Sequence, residues 1–158
     1  MFIMQPIVMQ THNLLIKSRK TISVAESCTG GLLCAYLTQI SGSSGYFILG
    51  VVTYSNKSKE GILNIPPALF AKKGAVSQEV AQRMAQSVRK IAKTDFGIAI
   101  TGIAGPTGGT PQKPVGTVFI AVNSKTKTIC KKFHFSGTRA AVRTKAAFNA
   151  LKLLQNFL

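Results

Sequence analysis

The sequence predicts an α/β fold, a three-layer α/β/α sandwich with a mixed sheet, on three observations. Short apolar segments rich in β-branched residues alternate with segments of helical periodicity, an order typical of parallel strands joined by helices. Two late strand-like segments, 115–123 and 128–135, are joined by a short polar turn and so predict an antiparallel hairpin. A hydrophobic fraction of 46% over 158 residues suffices for a substantial core. We therefore expect one domain, residues 1–158.

The remaining elements follow from local patterns. Strand segments combine β-branched and aromatic residues, and helical segments repeat apolar residues three or four positions apart. In chain order, helices are predicted over 6–17, 30–40, 56–63, 77–93 and 138–157, and the earlier strands over 21–25, 46–54 and 96–100. Ser77 is a typical N-cap for the fourth helix, and the pair Pro66 and Pro67 ends the third helix or starts another. The Gly/Pro-rich segment 101–114 is long enough to be a functional loop.

The charge balance limits both partners and chemistry. The chain carries a formal charge of +16, which favours anionic partners from nucleotides to nucleic acid. Its basic residues are dispersed with few aromatic residues between them, so we interpret them mainly as a solvated surface and rank a nucleic-acid-binding accessory last among the alternatives. Catalysis by paired carboxylates needs two acids in one site, which four scattered acids make improbable. These acids are Glu26, Glu60, Glu79 and Asp95.

Cysteine spacing and hydropathy bear on cofactors and location. Cys28, Cys34 and Cys130 have no metal-ligand spacing and form no cluster with the two histidines. No run of eighteen apolar residues predicts a membrane span, and the N-terminus lacks the basic region of a signal peptide. These patterns predict a reduced, cytoplasmic protein without metal, cofactor or membrane partner.

The first candidate site is the turn after the first strand, where Ser27 precedes Gly30 and Gly31. A strand, a tight turn and a helix in this order expose a hydroxyl beside free N–H groups, which can hold a phosphate or an oxyanion. If Ser27 is a nucleophile, the N–H groups near Thr29 and Gly30 are the expected oxyanion donors. An N-cap serine has the same local pattern, so this segment alone leaves both interpretations open.

Two further candidates follow later strands. Tyr54 and Lys59 come at the end of the second strand, where a phenol and an amine in one cleft can transfer protons. A solvated strand–helix junction is the alternative interpretation of this pair. Thr101 begins a glycine loop whose Gly102 and Gly105 allow the backbone to approach a ligand closely. A flexible loop without a ligand is the alternative there.

Arg139, near the start of the last helix, completes the set of candidates. A guanidinium suits a phosphate or a carboxylate, although a surface arginine beside an N-cap is equally compatible with the pattern. Because the carboxyl ends of parallel strands lie at one edge of a sheet, we expect the candidate loops to converge.

Together these motifs resemble the CinA C-terminal domain family, the nicotinamide-nucleotide amidohydrolases. The resemblance runs in order through residues 25–31, 42–44, 52–56 and 59, 74–77, 101–106, 113–118 and 137–139. It implies hydrolysis of the carboxamide of nicotinamide mononucleotide to nicotinate mononucleotide and ammonia. It also implies a homo-oligomer, to whose interface Phe2, Phe148 and Phe157 could contribute. Thr107 departs from the family, which often has Asp at this position.

The resemblance also implies roles for individual residues. Ser27 matches the family's nucleophile, and Tyr54 and Lys59 match its activating pair. Thr101 with its glycine loop, and Arg139, match positions that line the family's pocket. Cys28 is a rival nucleophile. The alternative function is a catalytically silent nucleotide-binding domain or a regulatory domain associated with competence or DNA damage.

Overall fold

A five-stranded mixed sheet forms the middle layer of the protein. The structure, a computed structural model, describes residues 6–158. Its helices are α1 (Pro6–Ser18), α2 (Leu32–Leu37), α3 (Asn56–Leu63), α4 (Pro67–Lys73), α5 (Gln78–Ala92) and α6 (Arg139–Gln155). Its strands are β1 (Ile22–Glu26), β2 (Phe47–Val52), β3 (Phe96–Gly102), β4 (Thr117–Asn123) and β5 (Thr128–His134). No helix within residues 6–158 has the length and apolar character needed to cross a membrane.

The strands are ordered β2-β1-β3-β4-β5 in the sheet. β1 runs parallel to β2 and β3, whereas β4 pairs antiparallel with both β3 and β5. In register, Ala25 of β1 lies between Val51 of β2 and Ala99 of β3. The three parallel strands therefore end at one edge of the sheet, where their following loops begin. The predicted mixed sheet and late hairpin are confirmed.

Helices cover both faces of the sheet and build two cores. α1, α2 and α6 pack on one face, and α3, α4 and α5 pack on the other. The stripe that α5 buries includes Val80, Met84 and Val88, which recur at helical spacing. α6 buries Val142 and Leu151 in the opposite core. The predicted three-layer sandwich is confirmed.

The observed boundaries of some helices and strands differ from the predicted ones, chiefly where glycine or proline determines the backbone conformation. The helix predicted over 30–40 begins at Leu32, because Gly30 and Gly31 have φ values of +60° and +97°, which lie outside the right-handed helical region. β3 continues through Gly102, so the glycine loop begins at residue 103 rather than at 101. Pro67 begins α4, in agreement with the preference of proline for the first turn of a helix.

The phenylalanines suggested for an interface make contacts within the chain. Phe148 stacks on Tyr36 with ring centroids 5.0 Å apart. Phe157 meets Phe96 edge to face, with centroids 5.6 Å apart. Phe2 lies outside the described residues. Both described rings thus pack on the protein's own core, and the homo-oligomer stays a prediction.

The contact between α5 and β3 predicts a destabilising glycine substitution. A Cβ atom at Gly97 would overlap the carbonyl oxygen of Ala85 and lie 2.6 Å from Cβ of Arg89. We expect Gly97→Ala to lower the free energy of unfolding by about 1–3 kcal/mol, because such overpacking forces α5 away from the sheet. Urea denaturation measures the effect. Gly61→Ala is the matched control, since a Cβ there meets no atom within 4 Å; equal stability of the two variants would contradict this packing.

Candidate active site

The loops after the three parallel strands converge on one open pocket of about 270 Å³. Most of the candidate residues line it, from four separate segments of the chain. These are Ser27, Tyr54, Lys59, Thr101, Gly102, Gly105 and Arg139. Thr29 and Gly30 lie in the turn behind Ser27 and do not line the pocket. Asn56 and Val76 also line it, and the sequence analysis did not single them out.

Lys59 is the most deeply buried charged group of the pocket. Its side chain extends from α3, and the residue is only 1% exposed. Nζ lies 3.1 Å from Oγ of Ser27, 2.8 Å from the carbonyl oxygen of Thr53 and 3.3 Å from that of Tyr54. Burial lowers the pKa of Lys59 below its ordinary value, because the ammonium form loses hydration.

The surroundings of Lys59 accommodate both of its protonation states. As an ammonium, Nζ donates to Oγ of Ser27 and to the two carbonyl oxygens. After loss of one proton, two N–H groups remain for the two carbonyl oxygens, and the lone pair is left for the Ser27 hydroxyl. A serine hydroxyl at this distance from a neutral amine can donate its proton to it. The pair therefore has the geometry of a nucleophile with its general base.

Glu26 organises the turn that carries Ser27. Its buried carboxylate accepts hydrogen bonds from the N–H groups of Gly31, Leu33 and Cys34, at distances of 3.1, 3.1 and 2.8 Å. A carboxylate at a helix N-terminus satisfies groups that have no partner in the helix and opposes the positive end of its dipole. The start of α2 is thus occupied by the protein's own anion rather than left free for a ligand.

This occupation changes the choice of oxyanion donors. The N–H of Gly30 donates to the carbonyl oxygen of Ser27 at 3.0 Å, which disfavours Gly30 as an oxyanion donor. Its predicted role stays a prediction. Among residues 6–158, the N–H groups of Cys28 and Thr29 donate to no protein acceptor. Arg143 of α6 holds the far side of the turn, with Nη2 donating to the carbonyl oxygen of Thr29 at 2.7 Å.

Arg139 joins two sides of the pocket rim. Nη2 donates to the Tyr54 hydroxyl at 2.7 Å, and Nη1 donates to the carbonyl oxygen of Gly105 at 2.8 Å. Tyr54 is 58% exposed, and its phenol faces Arg139 rather than Lys59. Tyr54 and Lys59 line the same pocket, but the Tyr54 atom that contacts Nζ is the carbonyl oxygen and not the phenol. The role of the two residues as an activating pair stays a prediction.

Thr101 and Gly102 shape the wall beside the reactive pair. The Thr101 hydroxyl donates to the carbonyl oxygen of Ala75 at 2.9 Å, which ties β3 to the segment between α4 and α5. A Cβ at Gly102 would lie 2.7 Å from a side-chain methyl of Val118 and 2.9 Å from the carbonyl oxygen of Thr117. Glycine is thus required at this position by the close approach of β4.

Cys28 lines the pocket beside Ser27 but lacks the features of a reactive thiol. Burial raises its pKa to about 11, so at neutral pH it is a thiol rather than the thiolate that acts as a nucleophile. Among residues 6–158, no group of three or more His, Cys, Asp or Glu side chains is arranged to hold a metal ion.

The cap of α2 predicts a stability effect of Glu26. Glu26→Gln replaces one acceptor oxygen by an amide group that cannot accept the same hydrogen bonds, so we expect the free energy of unfolding to fall by about 1–3 kcal/mol. Urea denaturation is the measurement. Glu60→Gln is the control, because the Glu60 carboxylate makes no hydrogen bond or ion pair within residues 6–158. Unchanged stability of Glu26→Gln would show that the cap contributes little.

Curated relatives match this chain along most of its length. A CinA-like protein of Geobacter sulfurreducens is 49% identical over 138 residues, which are 87% of this chain and 33% of the relative. A CinA-like protein of Syntrophus aciditrophicus is 49% identical over 146 residues, 92% of this chain and 35% of the relative. The chain therefore spans about a third of the length of the curated relatives it matches.

Solved structures share the whole fold. The competence/damage inducible protein CihA of Agrobacterium tumefaciens is 32% identical, with a TM-score of 0.93 over 97% of this chain and 94% of the other. A competence-damaged protein (CinA) superfamily protein of Escherichia coli is 32% identical, with a TM-score of 0.93 over 98% and 90% of the two chains. The family model of the CinA C-terminal domain matches residues 4–158. The chain belongs to the CinA C-terminal domain family.

Proposed function

We propose that this protein is a serine amidohydrolase that converts nicotinamide mononucleotide to nicotinate mononucleotide and ammonia. The observation that carries the proposal is the contact between the Ser27 hydroxyl and the buried amine of Lys59. The substrate assignment is supported by membership of the CinA C-terminal domain family and by a pocket rimmed by Arg139. A guanidinium at the rim suits the phosphate of a mononucleotide.

The first half-reaction forms an acyl-enzyme. Oγ of Ser27 attacks the carboxamide carbon while neutral Lys59 takes the hydroxyl proton. The N–H groups of Cys28 and Thr29 are the proposed donors to the oxyanion that forms on the carboxamide oxygen. When the C–N bond breaks, the Lys59 ammonium returns its proton to the leaving nitrogen, and ammonia departs.

The second half-reaction restores the enzyme. Lys59 takes a proton from a water molecule as the water oxygen attacks the ester carbon of the acylated Ser27. Collapse of the second oxyanion breaks the bond between the ester carbon and Oγ, which takes back the proton from Lys59. The new carboxylic acid releases its remaining proton to solvent, and the nicotinate product leaves as a carboxylate. No acidic side chain is needed in either half, in agreement with a pocket lining that contains none.

Ammonia release from nicotinamide mononucleotide tests the nucleophile. We expect Ser27→Ala to reduce kcat by about a thousandfold or more, as removal of a nucleophile from a catalytic unit does. Cys28→Ser is the matched control and should keep most of the activity, because the neighbouring thiol takes no part. Equal rates for wild type and Ser27→Ala would exclude the serine mechanism. Binding of the mononucleotide without turnover by wild type would instead favour the silent nucleotide-binding alternative.

The pH dependence of kcat/KM tests the general base. The neutral amine is the active form, so kcat/KM should rise with pH and reach its plateau at a pH below the ordinary titration range of lysine, because burial lowers the pKa of Lys59. Lys59→Arg should abolish this rise together with most of the activity, since a guanidinium does not release its proton. Lys57→Arg, at an exposed neighbour in α3, should leave the profile unchanged. A wild-type profile that is flat or falls with pH would contradict a lysine base.

A further inference from the structure

The glycine loop, residues 103–116, forms one wall of the pocket and is anchored away from the reactive pair. Thr107 and Gly108 of this loop line the pocket, as does Val76 from the connection between α4 and α5. Nζ of Lys113 donates to the carbonyl oxygen of Lys73 at 2.8 Å. One hydrogen bond thus joins the glycine loop to the last residue of α4, directly before the connection that lines the pocket, across 40 positions of sequence.

Side chains from other parts of the chain contact the end of α4 and the connection between α4 and α5. The carbonyl of Lys73 accepts from Lys113, and the carbonyl of Ala75 accepts from Thr101 at 2.9 Å. The connection itself lies between two helices and has no strand partner, so its path depends on such contacts. Thr101 belongs to β3, whereas Lys113 brings the glycine loop to the same segment.

The ammonium of Lys113 is well placed to act as an anchor. It lies at the C-terminal end of α4, where unpaired carbonyls and the helix dipole favour a cation. Its own backbone is held in a turn, because its N–H donates to Oγ1 of Thr110 at 3.0 Å and its carbonyl accepts from the Thr110 N–H at 2.9 Å. Because the backbone of Lys113 is itself hydrogen-bonded, the hydrogen bond of its side chain restrains the position of the loop.

We propose that Lys113 is a positioning residue that sets the spacing between the glycine loop and the α4–α5 connection, and thereby the width of the pocket. Its effect on substrate binding rests on the proposed function. Arg139 also holds the loop through the Gly105 carbonyl, but an anionic substrate group competes for that guanidinium. Lys113 keeps the loop in place when Arg139 turns to the substrate, without touching Ser27 or Lys59.

Hydrogen exchange of the free protein tests this anchor without any substrate. Lys113→Met should speed amide exchange in the loop, at Ile103, Thr110 and Gly116, whose N–H groups are hydrogen-bonded in the wild type. Loss of one charge-assisted hydrogen bond predicts an increase of about fivefold. Lys113→Arg should restore slow exchange, because it keeps a cationic donor. Lys72→Met is the control, since this exposed lysine of α4 makes no side-chain hydrogen bond within the described residues.

Kinetics on nicotinamide mononucleotide supply the second measurement. Lys113→Met should raise KM about fivefold with kcat little changed, and Lys113→Arg should return KM close to wild type. Unchanged loop exchange in Lys113→Met, or the same acceleration in Lys72→Met, would overturn the proposal. A wild type that hydrolyses nothing, combined with faster exchange in Lys113→Met only, would refute the amidase assignment while leaving the anchor in place.

Discussion

The burial of the Lys59 amine is the constraint on which the rest of the site depends. Removing an ammonium from water costs several kcal/mol, and no acidic side chain pairs with Lys59 to offset this cost. The fold instead offers two carbonyl oxygens and one hydroxyl, which a neutral amine satisfies. Burial therefore lowers the pKa of Lys59 and makes the neutral amine, the form a general base requires, easier to reach. Ser55 contributes by capping α3, because the cap fixes the turn of helix from which Lys59 extends.

In the turn that carries Ser27, the N–H groups at the start of α2 are hydrogen-bonded within the protein, whereas two N–H groups nearer to Ser27 are not. The Glu26 carboxylate accepts hydrogen bonds from three N–H groups at the start of α2, and the Gly30 N–H donates to the Ser27 carbonyl. These four N–H groups are therefore not available to a bound phosphate. Within the turn that follows β1, the N–H groups that donate to no protein acceptor belong to Cys28 and Thr29, directly after Ser27. Arg143 holds the Thr29 carbonyl and thereby restrains the peptide that carries the next N–H. If these two N–H groups serve as the proposed oxyanion donors, their positions are fixed before substrate binds.

Much of this arrangement is readable in the sequence, because it depends on local patterns. Alternating strands and helices predict parallel strands whose carboxyl ends lie at one edge of the sheet. This shared edge in turn predicts that Ser27, Lys59 and the glycine loop lie close together. The charge pattern does not predict the role of Glu26, because it identifies Glu26 only as one of four scattered acids. A carboxylate one residue before a Ser-x-x-Gly-Gly turn can nevertheless reach the start of the next helix. Arg143 gave no local signal at all, since its contact with Thr29 spans 114 positions. The direction of the Tyr54 phenol depends on Arg139, which is 85 residues away.

The acidic side chains of this basic protein do not line the pocket, which leaves the charge of Arg139 there without an acidic partner. Glu26 is internal, Asp95 pairs with Lys20, and Glu79 pairs with Lys73. The pocket lining contains no acid, and both partners of Arg139 are uncharged oxygens. A phosphate that replaces the Tyr54 hydroxyl and the Gly105 carbonyl as acceptor of Arg139 forms a charge-assisted, bidentate contact. Arg139 therefore favours the anionic ligand over its two uncharged partners. A bound phosphate would therefore weaken the hydrogen bond between Arg139 and the Gly105 carbonyl, whereas the hydrogen bond between Lys113 and the Lys73 carbonyl does not compete with it.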